Sequence, residues 1–303
     1  MSILKHQFKL LLIISIVASS TFASDVSITI DDFVLDEGPL LSAVQKDEHI
    51  LESLEKHKIR IGLFVTAGAL IRPAGKTRLA VWEKTSHFIA NHTYSHIPYY
   101  QASFAEFSSD ILKAHQILSK YKNFQKSFRF PQLKEGNTKE KRNEMREFLS
   151  SNGYTQGYVT IDASDWYIND RLVNRLKEIP KADISGFREF YLKHIWERAM
   201  FYDDLSQKVL GRKVKHTLLI HHNLLNALFL EDVLSMFKAK GWNLISAEEA
   251  FKDPVFKAQP NIVPAGESIL WALAKETGKF ENILRYPGED GEYEKDKMNK
   301  LGL

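Results

Sequence analysis

The chain alternates two hydrophobic rhythms. Short apolar runs, several of them rich in β-branched residues, stand at 26–30, 59–66, 158–161, 217–220 and 242–245, and each of them, together with the mixed segment 126–130, reads as a strand. Between them, apolar residues recur every three or four positions. Ile50, Leu51 and Leu54 share one face of a helix expected over 47–58. Phe104, Phe107, Ile111, Leu112, His115 and Leu118 keep that period over 104–121. Further helices are expected over 79–88, 138–152, 185–210 and 231–240. Gly153, Gly211 and Gly241 follow three of these, where a left-handed residue closes a helix at little steric cost. Strands separated by helices mean βα units, hence an α/β fold with a parallel sheet or barrel. No internal repeat or low-complexity linker interrupts the alternation.

One run departs from both rhythms. Residues 10–18 (LLLIISIVA) are apolar apart from Ser15, follow Lys5 and Lys9, and precede the small residues of Thr21-Phe22-Ala23. This is the layout of a secretory signal peptide, expected over residues 1–23; an uncleaved N-terminal anchor is the alternative. Residues 24–252 then form the main domain, and 253–303 a C-terminal helix and polar tail expected at the periphery. No other run reaches the ~18 apolar residues of a membrane helix. The expectation is an exported protein, periplasmic or extracellular, with no membrane span after cleavage.

Composition narrows the chemistry. The 303 residues include no cysteine, which excludes disulfides, thiolate metal sites and thiol nucleophiles. Any metal must be held by His, Asp or Glu. Lys and Arg total 41 against 38 Asp and Glu, and no basic stripe with interleaved aromatics appears, so nucleic acid finds no support as a partner.

Polar residues gather at the C-terminal ends of the expected strands, where α/β folds build their sites. Asp31-Asp32 follow the first strand, Arg129 ends another, Asp162 and Asp165 follow 158–161, and His221-His222 follow 217–220. His92 and His96 are spaced i, i+4; on a helix both imidazoles would share a face and could reach one ion. Asp32 could add a carboxylate. Two His and one carboxylate leave positions open for water and substrate, as a catalytic zinc site requires. Singly, the His pair is also compatible with two unrelated polar residues, and the Asp pair with turn chemistry.

Taken together, these residues resemble the polysaccharide deacetylase family, also called the NodB-homology or carbohydrate esterase family 4 group. Thr29-Ile30-Asp31-Asp32 is similar to its T-F-D-D motif, and His92-Thr93-Tyr94-Ser95-His96 to H-T/S-x-x-H. Arg129-Phe130-Pro131 resembles R-x-P, Asp162-Ala163-Ser164-Asp165-Trp166 matches D-x-x-D-W, and Leu218-Leu219-Ile220-His221 resembles L-x-x-H. The resemblance covers roughly residues 25–250. It implies a distorted or incomplete (β/α) barrel. It also implies hydrolysis of N-acetyl groups on a glycan such as peptidoglycan or a chitin-like oligosaccharide. The implied metal ligands are Asp32, His92 and His96, with Zn²⁺ first and Co²⁺ or Ni²⁺ also suited. Asp31 is the implied base and Arg129 its partner. The Gln132 N–H is the implied oxyanion donor beside Pro131, and His221 the implied acid, with His222 as its rival. Asp162 is favoured over Asp165 to orient that His, and Trp166 is expected as a pocket wall.

Two positions depart from the family pattern. Phe33 stands where the family usually has Gly, and Gln132 where it usually has Tyr. Both changes are expected to touch the substrate groove. They motivate an alternative, an O-acetyl esterase or small-molecule amidohydrolase on the same scaffold. A non-catalytic glycan-binding protein is the third reading.

Overall fold

The first apolar run forms the strand on which the fold is built. A computed structural model describes residues 23–286 and 288–303, so the expected leader lies almost wholly outside the described residues. The strands are β1 (Asp25–Asp32), β2 (Gly62–Val65), β3 (Phe88–Asn91), β4 (Phe124–Phe128), β5 (Lys134–Gly136), β6 (Thr155–Gln156), β7 (Lys215–His221), β8 (Asn243–Leu244) and β9 (Ala265–Gly266). The helices are α1 (Ala43–His57), α2 (Pro73–Glu83), α3 (Phe104–Leu118), α4 (Lys139–Ser151), α5 (Asp165–Glu178), α6 (Ser185–Leu210), α7 (Leu224–Ala239), α8 (Ala247–Ala250), α9 (Ile269–Thr277) and α10 (Glu292–Lys300).

The main sheet runs β6-β4-β3-β2-β1-β7 with every pairing parallel, and β8 joins the start of β1. β1 is buried from Val26 to Asp31, as a strand covered on both faces must be. The helices cover the outside, and Ile28, Leu63, Tyr191, Leu230 and Trp271 belong to one apolar core. Capping boxes at Ser42 and Ser103 fix the starts of α1 and α3. β5 and β9 form a separate antiparallel pair.

The sheet curls back on itself. Thr155–Gln156 pairs with β4, and a few residues later Ile161 bridges to Leu218 of β7. The 158–161 run, expected as a full strand, is reduced to that bridge because it leaves β4 and joins β7 within six residues. Gly157 makes the crossing, its N–H donating to the Phe128 carbonyl at 2.6 Å. A Cβ at Gly157 would collide with the Phe64 ring. Gly157→Ala is therefore expected to cost about 1–3 kcal/mol by overpacking, lowering Tm by ~2–4 °C per kcal/mol. An unchanged thermal midpoint would show that the closure is not tightly packed.

Four expectations need correction. The helix expected over 79–88 lies instead at Pro73–Glu83, and Phe88 opens β3. β3 is four residues long and buried throughout, so it carries no alternation to reveal it. α5 escaped notice because its buried stripe of Ile168, Leu172 and Leu176 is thin among charges. α1 and α7 begin ahead of their expected starts, at Ala43 and Leu224. The C-terminal stretch is not peripheral: Trp271 and Met298 are buried in the main core, and Glu289 and Glu294 are buried as well. Among the described residues no helix is long and apolar enough to cross a membrane.

Candidate active site

The C-terminal ends of β1, β3, β4 and β7 open onto a cavity of about 1040 Å³. Asp31, Asp32, His92, His96, Gln132, Trp166 and His221 all line it. Asp31 and His221 are register partners on the adjacent strands β1 and β7, so the sheet itself sets them side by side.

Asp32, His92 and His96 converge, with one ligand atom from each within 4.8 Å of the others. They do so by a different route from the expected helix. His92 follows β3 directly, and the segment to His96 is a loop with left-handed φ of 68° at Thr93 and 59° at His96. Side chains hold this turn. Asn91 Oδ1 accepts the Thr93 N–H at 2.8 Å, and Thr93 Oγ1 accepts the His96 N–H at 2.9 Å. Asp110 Oδ2 accepts the N–H groups of Tyr94 and Ser95 at 2.9 and 3.0 Å. These polar bonds satisfy backbone that a helix would have satisfied itself, and they cost the loop its helical spacing.

The triad fits a divalent cation. His92 Nδ1 lies 2.9 Å from the Arg129 carbonyl, which fixes the tautomer and turns Nε2 inward. Burial pushes the His92 pKa down to about 4 against the pull of Asp31, so the ring is neutral, the form that ligates metal. Asp32 Oδ1 is buried, 3.2 Å from His96 Nε2 and 3.6 Å from His92 Nε2, yet accepts no hydrogen bond. Burial opposes the charge on Asp32, but the close His96 ring, with His221 and His92 nearby, outweighs it and holds the carboxyl below its usual range. One orphaned carboxylate oxygen close to two imidazole nitrogens suits Zn²⁺, Co²⁺ or Ni²⁺.

Asp31 is held from behind. The buried Arg129 donates through Nη1 to Asp31 Oδ1 at 2.6 Å and to Thr29 Oγ1 at 3.0 Å, and through Nε to the Gly157 carbonyl at 2.7 Å. Its guanidinium lies over the Phe64 ring at 3.9 Å. Asp31 Oδ2 stays turned toward His92, 3.6 Å from Nε2.

The histidine doublet splits as strand alternation requires. His221 lines the cavity beside Asp31. His222 is fully buried and pairs through Nε2 with Asp47 Oδ1 at 2.7 Å, packed against Phe33 and Trp82. The expectation that Asp162 orients His221 fails. Asp165 does so, with Oδ1 at 2.7 Å from His221 Nδ1 and Oδ2 accepting the His221 N–H at 2.9 Å. Asp165 opens α5, and the helix start turns its carboxylate back toward β7. Burial disfavours the charged imidazole, but Asp165, with Asp32 and Asp31 beyond it, raises the His221 pKa to about 10. Asn223 and Asn226 both donate to Asp165 Oδ2, and Tyr191 donates to Asn226 Oδ1. The sequence reading missed these supports, although the Asn spacing after His221-His222 was visible.

Asp162 points elsewhere, into a carboxyl group cluster. Burial, then Glu289 and Glu267, push its pKa well above the ordinary value. Pro131 is buried and opens the turn that carries Gln132, whose φ is 56°. Trp166 is 40% exposed and is among the residues that line the cavity. Phe33 has a φ of 63°, a conformation glycine adopts freely, which is the physical reason a glycine suits this position. Its ring is buried against His222 and beneath Arg78, away from the groove it was expected to narrow.

A family model for polysaccharide deacetylase matches residues 19–156, which carry the Asp pair, the His loop and Arg129. The match spans 138 of the 303 residues, and over them the chain is similar to the polysaccharide deacetylase family. Solved members share the fold. A chitin deacetylase from the fungal pathogen Colletotrichum lindemuthianum superposes with a TM-score of 0.53 at 16% identity, over 76% of this chain and 88% of its own. A family 4 pseudoenzyme from Bacillus anthracis gives 0.51 at 15% identity, over 76% and 66%. A mutant of it with restored enzymatic activity gives 0.51 at 16%, over 76% and 68%. No curated protein matches the chain at a significant level. The curled parallel sheet with outer helices is the distorted barrel of this deacetylase family, as the motifs implied. Asp31, Asp32, His92, His96 and His221 of these motifs line one cavity here, with Arg129 held behind Asp31.

Proposed function

We propose that the protein is an exported, metal-dependent deacetylase that removes N-acetyl groups from a glycan of the peptidoglycan or chitin type. One observation carries the reading: Asp31 and His221, paired in register, flank the Asp32, His92 and His96 triad in a single cavity. A Zn²⁺ ion held by these three residues would polarise the acetyl carbonyl and acidify a water molecule. Asp31 accepts the proton of the attacking water through Oδ2, while Arg129 occupies Oδ1 and keeps the carboxylate charged and aimed. His221, protonated at neutral pH through Asp165, gives its proton to the leaving amine. The Gln132 N–H faces the developing oxyanion, and Trp166 offers the sugar a flat wall.

Acetate release from N-acetylglucosamine oligomers and from peptidoglycan tests the proposal. Activity should vanish with a chelator and return with Zn²⁺ or Co²⁺. No release from any acetylated glycan by metal-loaded protein would overturn it in favour of a binding role. An ester substrate keeps one support, Gln132; the buried Phe33 ring removes the other. An ester leaving group needs little protonation, so survival of activity in His221→Ala would favour that reading.

A further inference from the structure

The turn that carries Asp32 is left-handed twice in succession. Asp32 has a φ of 85° and Phe33 one of 63°. Aspartate visits that region with some ease, but a bulky side chain stays there only when its surroundings hold it. Backbone bonds supply part of the hold. The Asp31 carbonyl accepts the His222 N–H at 2.9 Å, and the Asp32 carbonyl accepts the Thr66 N–H at 3.1 Å. The Phe33 N–H reaches the Asp31 carbonyl only at 3.3 Å.

A cage of buried side chains supplies the rest. The Phe33 ring is 1% exposed, with its centroid 5.5 Å from that of the His222 ring and the Arg78 guanidinium 5.1 Å above it. Arg78 also donates through Nη1 to the carbonyl of the next residue, Val34, at 3.1 Å. Asp47 ties the cage together. Its Oδ2 accepts from Arg78 Nε, and its Oδ1 meets Trp82 Nε1 at 3.2 Å and His222 Nε2 at 2.7 Å. These partners come from α1, α2 and the end of β7. Asp47, Arg78 and Trp82 are buried and are not among the residues that line the cavity, so the proposed chemistry gives them no direct task.

A buried ion pair gains little stability over apolar packing of the same volume. What this one adds is direction, because Asp47 holds residues 33 and 222, the neighbours of Asp32 and His221, from a single carboxylate. We propose that Asp47 is a positioning residue of the site: through Arg78 and His222 it clamps Phe33 in the turn that aims Asp32 at His92 and His96. The clamp lets this chain carry Phe where the family usually has Gly and still keep the triad aligned. The inference rests on reading the triad as a metal site.

Zinc titration of the full chain against a competing chelator, with Tm taken on the same samples, tests it without turnover. Asp47→Asn keeps the side chain's shape and removes its charge. It should weaken zinc binding about tenfold, the lower end of the effect of residues behind metal ligands, and alter the visible absorption of the Co²⁺-loaded protein. Arg78→Lys keeps a cation for Asp47 but loses the fork that reaches Val34, and should act in the same direction. It decides the question if Asp47→Asn does not fold. Phe33→Gly frees the turn from its need of a clamp. In that background Asp47→Asn should leave the zinc Kd nearly unchanged, the coupling expected of residues that act on one turn. A lower Tm with an unchanged zinc Kd and Co²⁺ spectrum marks Asp47 as merely structural and overturns the proposal. Equal weakening with and without Phe33→Gly overturns it too, since Asp47 would then not act through the turn. In both cases the metal reading stands. Unaltered protein that binds no zinc removes the metal reading, and the clamp's role falls with it.

Discussion

Asp31→Asn is expected to reduce acetate release by about 10²–10⁴-fold, the usual worth of a positioned general base. The triad does not include Asp31, so bound metal measured by atomic absorption should stay near one per chain. Asparagine keeps an oxygen for Arg129 but removes the charge. It leaves a buried guanidinium whose carboxylate partner sat at 2.6 Å. Breaking a buried pair from one side costs up to about 3–5 kcal/mol, so a lower Tm should accompany the lost activity. Rates must therefore be taken well below the variant's melting range. A variant that keeps more than a tenth of the activity with metal bound would remove Asp31 as the base.

Asp165→Asn is expected to lower kcat by about 10²–10⁴-fold and to change its pH dependence, because His221 loses the carboxylate that charges and orients it. The His221 pKa stands raised from 6.5 to about 10. A raised folded-state pKa means the fold prefers the protonated ring. That contribution to stability is complete below about 6.5 and is lost as pH rises through about 10. The acid's reactive form follows the same limb. Without Asp165, the alkaline fall in kcat should move down toward the ordinary histidine range. Asp162→Asn removes no bond to His221, so the alkaline limb should stay in place. An unmoved alkaline limb in Asp165→Asn, with a displaced one in Asp162→Asn, would restore the assignment that the motif alone suggested.

The choice between Asp162 and Asp165 marks where the sequence stops being informative. D-x-x-D offers two carboxylates three residues apart, and whether either reaches His221 depends on where the chain turns between Ile161 and α5. The His loop teaches the same lesson. The convergence of His92 and His96 was legible from their type and spacing, but the helix invoked to join them was wrong. Asn91, Thr93 and Asp110 bring the rings together through side-chain bonds that leave no periodic trace. β3 was hidden because a fully buried four-residue strand has no polar face.

By itself the sequence determined the α/β class, the family resemblance, and which side chains could ligate a metal or move a proton. These follow from residue type, from order along the chain and from hydrophobic period, all of them local or one-dimensional properties. Only the tertiary structure decided which of two adjacent histidines faces the cavity, which aspartate serves it, and that Glu267 and Glu289 reach the site at all. Those outcomes depend on contacts between residues more than fifty positions apart, where burial and the pairing of charge choose among partners that the sequence leaves equivalent.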